Sequence, residues 1–252
     1  MKSFEEKRFA LFLAAKDSDY VKKLYGGYFN VFVEAFGDDG ERWDLYRVVE
    51  GEFPSLEELE KYDGFVISGS PHNAYGDELW VQQLCCLLQN LIVMRKKVLG
   101  ICFGHQVLCR ALGGRVGKAC GGWDIGVRKV VFSKSLHHGI QDIPSIAPII
   151  ECHQDVVWEV PIGAEVIAFS EKTRVEMFSF GSYAMGIQGH PEYSKDILNN
   201  LIERLVNNES IDRAYADAVK AKLMESEPDT KFWKMLCKGF LKGRNSARDY
   251  LE

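Results

Sequence analysis

Residues 98–108 read VLGICFGHQVL. A short apolar run enters Cys102, with Gly100 and Gly104 two residues away on either side, and the chain leaves through His105 and Gln106 into HQVLCRAL, a helical pattern. A side chain at the end of a strand stands clear of the sheet only on a sharp turn. Side chains two residues before and after it would collide with the neighbouring strand and helix. Glycine at both places removes those collisions. The stretch therefore predicts strand, turn and helix with the Cys102 thiol at the apex. There the helix N-terminus favours a thiolate, and the Phe103 amide points to the same spot. Taken alone, Gly-x-Cys-x-Gly fits a buried packing cysteine equally well. What separates the two readings is whether the chain also supplies a base and a group to orient that base.

The surroundings set the frame. RFALFLAA (8–15), WDLYRVVE (43–50), GFVISGS (64–70) and VLGICFG (98–104) read as strands, separated by helical patterns such as SLEELEKY (55–62) and DELWVQQLCCLLQNLIVMRKK (77–97). That alternation predicts βαβ units and a largely parallel sheet. After Gly114 the texture becomes β-rich: VRKVVF, APIIEC, AEVIAFS, VEMFSFG and YAMGIQG follow one another with turn residues between. A mixed or antiparallel extension is expected there. The segment 193–208 places Ile197, Leu198, Leu201, Ile202, Leu205 and Val206 on one helical face, which should cover the sheet. The tail from Ser210 reads as a polar, solvated amphipathic helix, with Lys231, Lys234, Lys238, Lys242 and Arg244 around Trp233, Leu236 and Phe240. No repeat, low-complexity tract or linker marks a boundary, so one α/β domain is expected.

Composition narrows the class of function. The 252 residues are 46% hydrophobic and 27% charged, as in an ordinary globular protein, and the net charge of −5 argues against nucleic acid or an anionic membrane as main partner. The charged start before RFALFLAA reads as the approach to a first strand, not a signal peptide. The apolar run from Leu84 to Met94 is too short to span a bilayer. Seven cysteines, an odd number with no CxxC pair, point to a reducing cytosol, to mostly buried apolar thiols and to no zinc site. No cluster of residues calls for a metal or an organic cofactor.

A base is available. YAMGIQGHPEYS (183–194) sets His190 behind an apolar strand and before Pro191, with Glu192 two residues on. On an extended segment i and i+2 face the same way. Glu192 can therefore hold one ring nitrogen and leave the other for Cys102. A third stretch, GFVISGSPHNAYG (64–76), is another strand, ending in Gly69, Ser70 and Pro71. Sites in parallel sheets gather at strand carboxyl ends, so backbone amides near Gly69 and at Phe103 can form an oxyanion hole. His72 reads as an exposed polar residue.

Together, GICFGHQ, SGSP, CHQDVV (152–157) and GHPE, in this order between about Phe9 and Arg204, resemble the class I glutamine amidotransferase family. The resemblance implies one domain over 8–206 with a mainly parallel central sheet, a nucleophile elbow, a β-rich extension and helices on both faces. It leaves a helical tail, 207–252, packed on that domain or extending from it. It also implies a catalytic triad of Cys102, His190 and Glu192, an oxyanion hole at Gly69 and Phe103, and a substrate pocket formed by Ser70, Gln106, His153, Gln154 and Asp155. The reaction implied is attack of the thiolate on a γ-carboxamide, with a γ-glutamyl thioester as intermediate and no cofactor.

Three longer stretches, 7–54, 61–77 and CKGFLKGR (237–244), resemble the plant cytosolic γ-glutamyl peptidases, a resemblance that extends over nearly the whole chain. That similarity implies removal of glutamate from glutathione S-conjugates in the cytosol, in the processing of sulfur-containing defence metabolites of the glucosinolate type. The stretch 110–132 departs from the group, and Tyr75, Cys120 and Trp123 are expected at the pocket rim, where the two aromatic residues would shape acceptance of the S-substituent. Two other readings stay open. One is a glutaminase subunit delivering ammonia to a separate synthetase, for which this chain carries no GxxxxGK[ST] pattern. The other is a non-catalytic regulatory protein of the same fold. The oligomeric state is not legible.

Overall fold

The computed structural model describes residues 6–133 and 143–243. In chain order the elements are β1 (Arg8–Phe12), α1 (Asp19–Tyr25), α2 (Tyr28–Phe36), β2 (Arg42–Tyr46), α3 (Leu56–Leu59), β3 (Gly64–Ile67), α4 (Leu79–Val93), β4 (Lys97–Ile101), α5 (Phe103–Ala111) and β5 (Arg115–Lys118). They continue with β6 (Asp124–Phe132), β7 (Ile146–His153), β8 (Asp155–Glu159), β9 (Ala164–Phe169), β10 (Met177–Phe180), β11 (Ala184–Ile187), α6 (Lys195–Asn207), α7 (Arg213–Met224) and α8 (Thr230–Lys242).

Among the described residues a nine-stranded sheet runs β2-β1-β3-β4-β11-β10-β9-β6-β7. The first five strands are parallel to one another. From β10 onward every pairing is antiparallel, which is the β-rich extension. A separate antiparallel pair, β5 with β8, stands beside it.

Strand alternation divides the core between two faces. Ala10, Phe12, Phe65, Ile67 and Val98 pack on one side with residues of α4 and α5. Phe9, Leu11, Val66, Leu99 and Ile101 pack on the other with Phe32 and Phe36 of α2 and Trp233 and Leu241 of α8. Helix α6 buries Ile197, Leu198 and Ile202 in a third cluster with α7 and with Ile125 and Ile150 of the antiparallel wing.

The tail differs from its expected solvated form. Helix α8 buries Trp233, whose indole Nε1 donates to the Pro148 carbonyl at 3.0 Å. Lys242 is buried too, with Nζ on Asp38 Oδ2 at 2.5 Å and on Glu41 Oε1 at 2.9 Å. Burial opposes ionisation of Asp38, but the ammonium groups of Lys238 and Lys242 outweigh it and bring its pKa down to about 2. The amphipathic pattern is real, but its apolar stripe meets the sheet, and two of its charges, Lys238 and Lys242, close onto the loop before β2. Arg244 and the rest of 244–252 lie outside the described residues.

The junction of β3, β4 and α5 positions everything that follows. Cys102 is the N-cap of α5 at φ 53° and ψ −105°, a conformation that a non-glycine residue keeps only when its surroundings enforce it. A Cβ at Gly100 would stand 2.3 Å from the Gly104 carbonyl oxygen, and one at Gly104 would stand 2.3 Å from that of Ile67. Both contacts are with backbone, which cannot swing aside. Gly104→Ala is therefore expected to cost about 3 kcal/mol or more, read as a lowered denaturant midpoint. A midpoint within experimental error of the parent would show that the junction has slack.

Candidate active site

The sheet brings the separated motifs to one edge. Cys102 follows β4, Gly69 and Ser70 follow β3, His190 follows β11, and Leu13, Ala15 and Lys16 follow β1. They line a cavity of about 380 Å³ at the carboxyl ends of the parallel strands, joined from the β7–β8 turn by His153, Gln154 and Asp155.

His190 and Glu192 meet as their spacing predicts. Imidazole Nδ1 lies 2.8 Å from Glu192 Oε1, and both side chains are buried. The other ring nitrogen is left for Cys102, whose thiol hydrogen-bonds to His190. Gly69 makes this approach possible: a Cβ there would stand 2.9 Å from His190 Cε1. Backbone bonds fix the frame, His190 N–H donating to Ile150 O and Cys102 N–H to Ile187 O, each at 2.8 Å. Ser68 ties the β1 and β3 loops together by accepting from the Ala14 amide at 2.9 Å and donating to the Gly69 carbonyl.

Burial works against a charge on His190, but Glu192 and Cys102 outweigh it and lift its pKa to about 10. Burial pushes the Cys102 thiol up, and the charged imidazole pulls it down. The two groups ionise as a pair. Cys152 also lines the cavity, but burial and Glu151 hold its thiol up at about 12 without any such partner. Of the two thiols in the cavity, Cys102 alone has an activating base.

The other predicted residues sort as follows. Phe103 contributes backbone: it is the first residue of α5, where amides have no acceptor within the helix, and its ring packs on Trp80 at 5.5 Å. Ser70, Gln106, His153, Gln154 and Asp155 all line the cavity. Gln106 is engaged from its own side, Nε2 donating to the Asp155 carbonyl at 2.8 Å and to Gln188 Oε1 at 3.0 Å, so it also braces the β7–β8 turn. Asp155 takes the Tyr75 hydroxyl at 3.3 Å, which draws Tyr75 onto the turn instead of into the lining. Trp123 lines the cavity, whereas Cys120 is exposed and does not. His72 is half exposed against Trp80 and also reaches the lining. Only Cys102, Cys109 and Cys237 are buried among the seven unpaired thiols, fewer than composition predicts, because α4 turns Cys86 outward and Cys120 falls in a turn.

Sequence reasoning passed over three contributors. Tyr193 stacks on the His190 ring at 4.0 Å and 4°. Lys16 and Arg204 are cations in the lining. Behind the site, Glu151, His153 and Glu176 form a fully buried cluster whose ligand-type atoms lie within 4.8 Å of one another, the spacing of a cation site. Protons meet the same need. His153 Nδ1 lies 3.0 Å from the Asp155 carbonyl, which places the ring proton there and leaves Nε2 facing Glu151 Oε2 at 3.3 Å. Burial keeps His153 neutral and raises Glu151 and Glu176 well above the usual range, aided at Glu151 by the nearby Asp124 carboxylate and at Glu176 by that of Glu151.

The family model for glutamine amidotransferase class-I matches residues 25–206, and the chain belongs to that family. It is 54% identical to γ-glutamyl peptidase 5 of Arabidopsis thaliana over 96% of this chain and 98% of that one. It is 50% identical to γ-glutamyl peptidase 3 of the same plant over 95% and 98%. A glutamine amidotransferase crystal structure from Thermotoga maritima superposes with a TM-score of 0.73 at 22% identity, covering 95% of this chain and 98% of that one.

Two tests follow. Glu192→Gln removes the charge that lifts His190, so its pKa, followed by NMR, should drop from about 10 toward the ordinary histidine value; an unmoved value would mean that Glu192 is not the cause. For the buried acids, the unfolded chain releases its protons above about pH 4 while the native state retains them. Stability is thus fully present below that pH and declines as pH rises toward the native values, by about 1.4 kcal/mol per unit for each proton. Glu151→Gln, which keeps a protonated shape, should flatten the decline in urea midpoints between about pH 5 and 8. A large loss at every pH would instead indicate that the cluster needs its charge.

Proposed function

We propose that the protein is a cysteine-dependent γ-glutamyl peptidase that removes glutamate from glutathione S-conjugates. The observation that carries this reading is the buried Cys102–His190–Glu192 arrangement, with the imidazole fixed at 2.8 Å by Glu192 and opposite a thiol on a strained turn. The high identity to the Arabidopsis γ-glutamyl peptidases over nearly their full length supports the choice of leaving group.

In this mechanism the Cys102 thiolate adds to the γ-carbonyl carbon, and the carbonyl oxygen takes the charge. Amides at Gly69 and Phe103 stabilise that oxyanion, a donor being worth about 3 kcal/mol in such sites. The carbon–nitrogen bond breaks as the His190 proton passes to the departing amine, leaving a γ-glutamyl thioester. Water then gives a proton to His190 and its oxygen to the acyl carbon. The carbon–sulfur bond breaks, the thiol recovers its proton, and glutamate leaves. Ser70, Gln106, His153, Gln154 and Asp155 hold the glutamyl end.

The seven unpaired cysteines support a reducing cytosolic setting, and similarity to the plant enzymes supports substrates among the conjugates that lead to sulfur-containing defence metabolites of the glucosinolate type. Among the described residues no helix is long and apolar enough to cross a membrane.

The test incubates the protein separately with S-benzylglutathione and with glutamine, following glutamate, ammonia and the S-benzyl cysteinylglycine product by mass spectrometry. The dipeptide product is expected, together with its loss by at least about a thousandfold in Cys102→Ala. Ammonia from glutamine without peptide hydrolysis would favour the glutaminase-subunit reading. No Cys102-dependent turnover of either compound would favour a regulatory protein.

A further inference from the structure

The charge of the cavity is unevenly spread. The chain as a whole carries −5, yet among the described residues its cavity lining holds one carboxylate, Asp155, and two permanent cations, Lys16 and Arg204. Asp155 sits on the β7–β8 turn beside Gln106, at the end assigned above to the glutamyl group. Neither Lys16 nor Arg204 forms an ion pair among the described residues, whereas Arg8, Arg42, Arg47, Arg115, Arg128 and Arg213 each have a carboxylate partner. Two exposed cations left unpaired at the rim of one cavity call for an anion from outside.

Their position relative to the reacting atoms follows from a row of rings. Tyr193 stacks on His190 with centroids 4.0 Å apart, and Tyr28 lies beyond it at 6.2 Å. The Arg204 guanidinium is close enough to act electrostatically on Tyr28 and on Cys152. Arg204 is thus within electrostatic reach of the Tyr28 end of this row, which begins at the imidazole assigned to protonate the leaving amine. Lys16 approaches the same region from the β1–α1 loop, which Asp17 fastens by accepting the Tyr28 amide at 2.7 Å. A leaving dipeptide extends about 7 Å past the scissile bond at 3.3–3.6 Å per residue. Its terminal carboxylate therefore falls within the cavity whose lining holds both cations. Between the two ends, Trp123, Leu201 and Leu205 supply an apolar wall beside which the central side chain would lie.

We propose that Arg204, assisted by Lys16, forms a carboxylate subsite that reads the C-terminal glycine of the leaving dipeptide. The proposal rests on the γ-glutamyl peptidase reading and makes it more specific: the enzyme measures its substrate from both ends, and the anionic end decides which γ-glutamyl compounds are held. Glutamine fills only the inner end. γ-Glutamyl-cysteine conjugates that lack glycine bring a carboxylate one residue too short.

The experiment compares S-benzylglutathione with its C-terminal carboxamide and with γ-glutamyl-S-benzylcysteine, using the parent protein, Arg204→Ala, Arg204→Lys and Lys16→Ala. A charge-assisted bond of this kind is worth roughly ten- to a hundredfold in affinity. The parent should therefore prefer the free acid to the amide by about that factor, mainly in KM. In Arg204→Ala the acid-to-amide ratio should fall to near one; Arg204→Lys should restore part of it, and Lys16→Ala should reduce it less. Equal rates for acid and amide in the parent, or an unchanged ratio in Arg204→Ala, would overturn the subsite while leaving the peptidase reading intact. Absence of turnover of all three compounds by the parent would remove the peptidase reading and the subsite with it.

Discussion

Backbone against backbone at Gly100, Gly104 and Ile67 is the contact on which the rest of the molecule depends. With no Cβ on either glycine, β4 can turn directly into α5 while lying beside β3, and the residue at the apex is driven to a positive φ. Strain of this kind costs on the order of 1–3 kcal/mol and persists only when the neighbouring packing over-determines it. Here the packing is the full width of the parallel sheet, with Val98 buried on one face and Leu99 and Ile101 on the other. A soft core would relax the turn and lower the thiol back among the strands. The hydrophobic layers are therefore part of the chemistry, because they keep Cys102 raised toward His190.

The charges in this site are arranged by depth. At the apex Glu192 and Cys102 together outweigh the burial of the imidazole, so His190 keeps its charge in a tight pair with Glu192. One layer behind, Glu151, Glu176 and His153 are equally buried; Arg128 acts on Glu151 but does not outweigh burial, and protons replace charge. A negative potential from two ionised carboxylates so close to the thiol would oppose formation of a thiolate. Keeping those acids neutral leaves Glu192 as the anion that the imidazole responds to.

How much was legible in the sequence follows from how local each signal is. The elbow is written in five consecutive residues, and the His190–Glu192 pair in three, so both can be read without knowing the fold. The parallel core was equally plain, because strands buried on both faces appear as uninterrupted apolar runs. The short β5 and β8, RVGK and DVVWE, mix polar and apolar residues and pair only with each other, so no run announces them. Glu151 in IIECH and Glu176 in VEMF look like ordinary solvated positions of alternating strands. Only the tertiary arrangement turns them inward: Glu151 lies on the face of β7 opposite Ile150 and Cys152, against Gly189, where a Cβ would stand 2.5 Å from its Oε1. The tail misled for a related reason. A basic amphipathic helix looks the same whether its stripe meets solvent-facing partners or its own sheet, and Asp38, two hundred residues away, is what accepts Lys238 and Lys242.

The flat stack of Tyr193 on His190 has a consequence for traffic through the site. Clamped between that ring and the gap left by Gly69, and tied to Glu192, the imidazole cannot turn over. In the reaction proposed above, the nitrogen that would release a proton to the departing amine is the one that would collect a proton from water. Both events therefore use a single doorway. On the mechanism proposed above, the amine would have to vacate it before water could enter, which would impose an order on the cycle: the first product would leave while glutamate was still tethered to sulfur.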